Sequence, residues 1–307
     1  MRLPDFIIGG AGKCGTTSLS WYLGQHPQIF VSRLKEIHFF DNDPLYHKGL
    51  AWYAKYFAEA GDALAAGEAT PNYLGGDYIA ERIAGDLPQV KMIFIFRDPV
   101  KRAYSNYWHA MRSATDLGSF ESCVDDPRCV HFWEKSRYAK YLETYYRLLG
   151  RERIHCLLTE QLAKDADSAL AGIFRFLGVD PEVKISRTNE RRNTHSMPRS
   201  VAVQRWANKY IRPTTPAAET QRLDDSGRLA NQKNRRRFFW ARKAAMGIIA
   251  TLNQKQTTYP PLDREVSERL YPMFEQDNAK LAELTGLPLA EFWPSAHAVR
   301  AETAVRG

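Results

Sequence analysis

Short apolar runs that end abruptly in glycine, proline or charge divide the first 180 residues. Phe6-Ile7-Ile8 is β-branched and apolar, Met92 to Phe96 is an unbroken apolar run bounded by charge, and Arg153 to Leu158, after the helix that ends near Gly150, reads as a further strand. Runs without polar alternation are those of strands covered on both faces, as in a parallel sheet. Between them the apolar positions recur every three or four residues and predict helices. One begins at Thr16, turns Leu19, Tyr22 and Leu23 inward and stops before Pro27. A second has Asp98 as N-cap and Pro99 as its first residue, and buries Val100, Ala103, Tyr104, Tyr107, Trp108 and Met111. Residues 136–150 form a third amphipathic helix, and a fourth buries Leu170, Ile173, Phe174 and Leu177 before Gly178 ends it. Trp52 to Phe57 reads as a further helix, and Ala65 to Tyr73 as a strand end with a proline turn. Strands alternating with helices predict an α/β fold with a central parallel sheet flanked by helices.

Beyond residue 187 the pattern changes. RTNERRNTHSMPR and the stretch from Pro213 to Arg237 are polar and rich in Arg, Asn, Pro and Thr, without steady period, which suggests an excursion over the surface. Arg191, Arg192 and His195 are there to meet an anionic acceptor or simply solvent. KNRRRFFWARK, residues 233–243, is either a basic aromatic patch for nucleic acid or a membrane surface, or an ordinary helix with buried rings and solvated arginines; the last is the simpler reading. The chain is expected to be one domain over 1–307. Its parts are an α/β core with the donor site at 1–186, a basic lid or acceptor-side excursion at 187–250, and a mostly helical C-terminal segment at 251–307 that packs back on the core.

Composition narrows the function classes. In 307 residues, 44% hydrophobic content is enough for a sizeable core. No apolar run is long enough to span a bilayer, and the N-terminus goes straight into the first strand, so a soluble cytoplasmic protein is expected. The formal charge of +8 points to anionic partners without naming them. Cys14, Cys123, Cys129 and Cys156 have neither C-x-x-C spacing nor paired histidines, so no metal site is expected. Cys123 and Cys129 are spaced to close a small loop, but a reducing compartment leaves them as thiols.

The chemistry concentrates in residues 6–41. After the first strand come Gly9, Gly10, Gly12 and Gly15, then Thr16, Thr17 and Ser18 at a helix start. Glycines let backbone amides turn inward as a nest, and the helix N-terminus adds unpaired amides and its dipole. A nucleotide-hydrolase loop needs Lys directly after its second glycine to reach the β- and γ-phosphates. Here Thr16 holds that place and Lys13 lies inside the loop. The unit is a phosphate cradle without the γ-phosphate apparatus. Arg97, at the carboxyl end of the second strong strand, and Ser105, eight residues on, are an Arg fork and a hydroxyl suited to a second phosphate.

GAGKCGTTSL resembles the 5′-phosphosulfate loop of sulfotransferases that use 3′-phosphoadenosine 5′-phosphosulfate (PAPS). Arg97 with Ser105 resembles their 3′-phosphate motif, and KEIHFFD resembles the catalytic segment of the heparan sulfate O-sulfotransferase branch and its bacterial relatives. The resemblance implies a P-loop-like fold, PAPS as donor, 3′,5′-adenosine bisphosphate (PAP) as product and no metal. It implies Glu36 as general base, with His38 orienting it or serving in its place, and Lys13 facing the sulfuryl group. Donor contacts are expected from Gly12, Lys13, Cys14, Gly15, Thr16, Thr17, Ser18, Arg97, Ser105 and Lys255. Acceptor contacts are expected from Lys35, Asp41, Glu68 and Thr70, the last two in a segment that equally reads as a strand end and turn. Lys255-Gln256-Thr257 stands where the family commonly reads Lys-Gly-Arg, so only the lysine of that clamp is kept.

The implied reaction is in-line displacement at sulfur onto an alcohol, with a carbohydrate as expected acceptor and a hydroxylated metabolite or lipid as alternative. Two other classes are a nucleotide kinase, against which the missing Lys after Gly15 argues, and a non-catalytic polyanion-binding protein built on residues 233–243.

Overall fold

A parallel sheet forms because each apolar run predicted above is enclosed on both faces. In the structure, a computed structural model describing residues 1–112, 117–186, 196–211, 244–249, 252–256 and 259–296, it has five strands. These are β1 (Phe6–Gly10), β2 (Ile29–Val31), β3 (Ala65–Ala69), β4 (Lys91–Phe96) and β5 (Ile154–Leu158), in the order β2-β3-β1-β4-β5. Every pairing is parallel, with Phe6 beside Gly67 and Lys91, and Phe96 beside Leu158. The sequence-order reversal lies beside β1, so the loop after β1 sits at the carboxyl edge where open α/β sheets bind ligands. Phe6, Ile7, Ile8 and Ile93 to Phe96 are fully buried, each worth roughly 1.5–3 kcal/mol against leaving it exposed.

β1 is longer than expected. Gly9 and Gly10 belong to the strand rather than the loop. A Cβ on Gly10 would stand 2.6 Å from Leu74 Cβ, so at this position glycine serves close packing rather than turning.

The helices that frame the site are α1 (Thr16–Leu23), α2 (Asp77–Asp86), α3 (Pro99–Arg112), α4 (Tyr138–Leu149) and α5 (Ala166–Leu177). Asp98 caps α3 as its sequence suggests, Oδ1 accepting from the amides of Val100 at 3.0 Å and Lys101 at 3.1 Å. Trp108 and Met111, expected in the core, are only half-buried, Trp108 stacking on Tyr259 with centroids 6.0 Å apart. Trp52 to Phe57, expected as one helix, fall in a single α-turn (Leu50–Tyr53) and a 3-10 stretch (Ala54–Ala60). Gly178 ends α5 at φ +83°, the left-handed conformation that suits glycine.

The chain divides into two compact units. The first comprises Met1–Arg102, Lys135–Asn189 and Ser267–Gly307 and holds the sheet; the second comprises Ala103–Glu134 and Glu190–Val266. In the first, helix α7 (Glu275–Thr285) packs on α4, and Asp277 accepts from the amide of Ala139 at 3.3 Å. In the second, Tyr104 and Tyr107 pack on Phe120, and Tyr104 donates to the carbonyl of Pro260. There β6 (Ser196–Pro198) pairs antiparallel with β7 (Gln254–Gln256), next to helix α6 (Val201–Tyr210). Residues 187–195 and 212–243, with Arg191, Arg192, His195 and the basic run 233–243, lie outside the described residues.

Candidate active site

The loop from Ala11 to Gly15 brings the chain from β1 into α1 through two residues with positive φ, Lys13 at 71° and Gly15 at 93°. The first helical hydrogen bond is from Leu19 N to Gly15 O, 3.0 Å. The amides of Thr16, Thr17 and Ser18 precede it, and they point out of the helix start where an anion is favoured. The outward carbonyls of the loop are tied down from behind. Arg102 Nε donates to Gly12 O at 3.0 Å, and Thr159 Oγ1 lies within hydrogen-bond distance of both Cys14 O and Phe96 O, which share its one proton. Cys14 is buried with its Sγ 3.5 Å from Tyr138 OH, and burial pushes its thiol above the usual range, against the nearby Arg102 and Arg97.

Arg97 stands at the end of β4, half-buried, and Tyr138 OH donates to its carbonyl at 2.9 Å. The turn that carries it is anchored twice more. Asp98 Oδ2 accepts from Ser295 Oγ at 2.8 Å, and Glu160 accepts from Trp293 Nε1 at 3.0 Å. Ser105 is buried on α3, in the second unit. Lys255 is also in the second unit, its backbone opposite Met197 in the two-stranded ladder, and its side chain lies outside what is described.

The KEIHFFD segment folds over the ends of β1 and β3. Glu36 N donates to Ala69 O at 3.0 Å, and Glu36 and His38 both sit at positive φ, 61° and 55°. Such conformations cost on the order of 1–3 kcal/mol each for residues with a Cβ, and persist where surroundings over-determine them. Lys35 Nζ donates to Thr17 Oγ1 at 2.7 Å and pairs with Glu36 Oε1 at 3.0 Å. One lysine therefore spans from the helix N-terminus to the carboxylate. His38 lies between two carboxylates, Nδ1 at 2.8 Å from Asp41 Oδ2 and Nε2 at 3.8 Å from Glu36 Oε2. Asp41, and then Glu36, raise its pKa to about 10. His38 and then Lys35, against burial, lower that of Glu36 to about 2. At neutral pH the group is an imidazolium between two carboxylates.

Glu68 and Thr70, expected as acceptor contacts, are instead enclosed. Both are 0% exposed, and Glu68 accepts from Tyr53 OH at 2.8 Å, Tyr73 OH at 3.0 Å and Thr70 Oγ1 at 2.6 Å. Desolvation raises its pKa, opposed by those three donors. Asp41 is occupied in orienting His38, with its side chain only 10% exposed, and Lys35 is held between Thr17 and Glu36. Thus Lys35, Glu36, His38 and Asp41 are brought to the start of α1, while Glu68 and Thr70 form the wall behind them. Arg102, Thr159, Tyr53 and Tyr73 escaped the sequence reading. Only Arg102 carried a signal there, one turn beyond the Asp98-Pro99 cap in the same motif.

The sulfotransferase domain family matches residues 3–209. The chain belongs to that family. It is 33% identical over 185 residues to heparan sulfate glucosamine 3-O-sulfotransferase 3A1 of Mus musculus, covering 58% of this chain and 46% of that one. To heparan sulfate glucosamine 3-O-sulfotransferase 5 of Homo sapiens it is 31% identical over 192 residues, covering 59% and 55% respectively. The chain thus spans about half the length of these curated relatives. Among solved structures, a sulfotransferase from Alicyclobacillus acidocaldarius superposes with a TM-score of 0.65 at 22% identity, over 95% of this chain and 99% of that one, a likeness of fold. Among the described residues no helix is long and apolar enough to cross a membrane.

Proposed function

We propose that this protein transfers a sulfuryl group from PAPS to a carbohydrate hydroxyl, with Glu36 as general base. The observation that carries the reading is Lys35, 2.7 Å from Thr17 Oγ1 at the anion loop and 3.0 Å from Glu36 Oε1. It sets a carboxylate one side chain away from a helix start suited to the phosphosulfate. The carbohydrate acceptor is supported by the relatives, which are named for heparan sulfate glucosamine.

In the reaction, a bond forms between acceptor oxygen and sulfur while the bond from sulfur to the bridging phosphate oxygen breaks. Negative charge grows on that leaving oxygen, and the amides of Thr16 to Ser18 with Lys13 are the groups to stabilise it. The acceptor proton passes to Glu36. His38, held as an imidazolium by Asp41 and Glu36, has no free lone pair at neutral pH, so its part is to orient Glu36. A carboxylate with a pKa near 2 is ionised but weakly basic. Lys35 is a switchable part of that depression. Drawn to an anion beside Thr17, it leaves Glu36 and returns basicity to the carboxylate when donor is bound.

The test is thermal stabilisation by PAP against Mg-ATP for wild type, Lys13→Ala and Arg97→Ala, followed by transfer of labelled sulfate from PAPS to heparan sulfate and to simple alcohols. A ligand that binds only the folded state raises stability by RT ln(1 + [L]/Kd), so stabilisation by PAP, reduced in both variants, is expected. A shift with Mg-ATP alone refutes the donor assignment. Sulfate transfer to simple alcohols and none to the polysaccharide refutes the acceptor class.

A further inference from the structure

The buried cluster behind the catalytic segment has a direction. Tyr73 OH donates to Glu68 Oε1 at 3.0 Å, which commits its proton to the carboxylate and leaves its oxygen lone pairs facing away. Those lone pairs accept from the backbone amide of Phe39 at 3.0 Å, and at 3.5 Å from that of Phe40. These two residues directly follow His38 and precede Asp41. Their rings are fixed by the same tyrosines: Phe39 stacks on Tyr53 with centroids 4.5 Å apart and 12° between planes, and Phe40 meets Tyr73 edge-on at 5.6 Å. Tyr53 is in turn oriented by its own hydrogen bond to Glu68 Oε1, 2.8 Å. Glu36 N is bonded to Ala69 O, one residue along β3 from Glu68.

From this geometry we infer that Glu68 is a positioning residue for sulfuryl transfer, acting through Tyr73 to hold the Glu36-His38-Asp41 segment in its left-handed conformation. The inference rests on the proposed function for its link to catalysis. A carboxylate suits the task because it only accepts, so every hydroxyl around it must donate inward and present a lone pair outward. The ring of Tyr73 alone would pack equally well as phenylalanine. Its hydroxyl is what reaches the loop backbone, since two inward-pointing amides on an irregular segment need an acceptor there.

The consequence is read on His38. Its surroundings are Asp41 and Glu36 on its own segment, Lys35 paired with Glu36, and, on the elements behind, Glu68 and Lys135, both of which feel the charge of Asp41. When the segment is released, His38 loses its fixed contacts with both carboxylates.

The experiment uses the full chain, with histidine ring protons followed by NMR through a pH titration and His38 assigned by its loss in His38→Asn. Wild type, Tyr73→Phe, Glu68→Gln and Tyr53→Phe are compared, together with PAP affinity and kcat for sulfate transfer. Tyr73→Phe is expected to move the His38 midpoint down by at least one pH unit and to lower kcat about tenfold, with PAP affinity within twofold of wild type. Tyr53→Phe, whose hydroxyl bonds Glu68 and not the loop, is the packing control and should move the midpoint much less. Glu68→Gln, which turns an amide donor into the cluster, should follow Tyr73→Phe. An unmoved His38 midpoint in Tyr73→Phe overturns the inference, as do an unchanged kcat or equal effects in Tyr73→Phe and Tyr53→Phe. Should Tyr73→Phe not fold, the same midpoint and kcat criteria apply to Glu68→Gln. A wild type that transfers no sulfate, with His38 shifted as expected in Tyr73→Phe, sinks the proposed reaction and leaves the relay standing.

Discussion

Asp98→Ala is the substitution whose cost the structure specifies most fully. The carboxylate is 0% exposed and uses both oxygens. Oδ1 accepts from the amides of Val100 and Lys101, capping α3, and Oδ2 accepts from Ser295 Oγ at 2.8 Å with Ser295 N at 3.4 Å. Losing an N-cap costs about 0.5–2 kcal/mol. Losing a hydrogen bond to a charged group adds about 1.5–3 kcal/mol, and here Ser295 is itself buried, so water does not replace the acceptor. Removal of a buried charge returns part of this, and a net loss of roughly 2–4 kcal/mol is expected. That is a large fraction of the ~5–15 kcal/mol typical of a folded domain. Asp98→Asn keeps the cap oxygen but turns an amide donor toward Ser295, whose hydroxyl can accept it, so about half the loss should return. The assay is equilibrium urea unfolding with PAP binding measured alongside, because Arg97 adjoins the cap. A loss below about 1 kcal/mol for Asp98→Ala would refute the view that this carboxylate ties the C-terminal segment to the turn behind the donor site.

Two further outcomes are expected. His38 has a folded-state pKa raised to about 10 from an ordinary value near 6.5, so its stabilising contribution is complete below pH 6.5 and lost as pH rises toward 10. Urea midpoints at pH 6.5, 8 and 9.5 should fall more steeply for wild type than for His38→Asn, and parallel slopes would contradict the arrangement. Gly67→Ala should be strongly destabilising, by about 2 kcal/mol or more, since its Cβ would lie 2.5 Å from Phe6 O, a backbone atom in the centre of the sheet that cannot move aside. A thermal shift of less than about 3 °C would show that the strands separate more easily than the register implies.

What was legible in the sequence was local. The apolar runs of β1, β4 and β5 and the Asp98-Pro99 cap are decided by neighbours in the chain, and each formed where its pattern put it. Gly9 and Gly10 were misplaced because the reason for them is Leu74 and the side chains of β4, which no local pattern shows. Glu68 was open between an acceptor contact and a strand end before a turn; its burial depends on hydroxyls from Tyr53 and Tyr73 on either side of β3. The Ser295 to Asp98 contact spans 197 positions and left no mark on either segment. Glu36 itself was singled out by resemblance rather than by periodicity, because its left-handed backbone and its lysine bridge to Thr17 are products of tertiary folding.

The placement of charge explains why such an irregular segment is worth holding. The helix start has its unpaired amides, with Lys13 in the loop before it and Arg97 and Arg102 close enough to Cys14 to act on its thiol. Facing it through Lys35 is a carboxylate pair, Glu36 and Asp41, with the His38 imidazolium between them. On the proposed reaction, negative charge leaves toward the first group while a proton moves to the second, so the two must be adjacent yet oppositely biased. A regular helix would carry Glu36 and His38, two positions apart, to different faces, and a strand would set them on one face but about 6–7 Å apart along the chain. Two left-handed residues bring their side chains to 3.8 Å instead, and the bonds from Glu36 N to Ala69 O and from Phe39 N to Tyr73 OH hold the segment there together with the charged contacts. Lys35 links the two groups, bonded at once to Thr17 Oγ1 and Glu36 Oε1, so on the proposed reaction an anion bound at the helix start competes with Glu36 for the same ammonium.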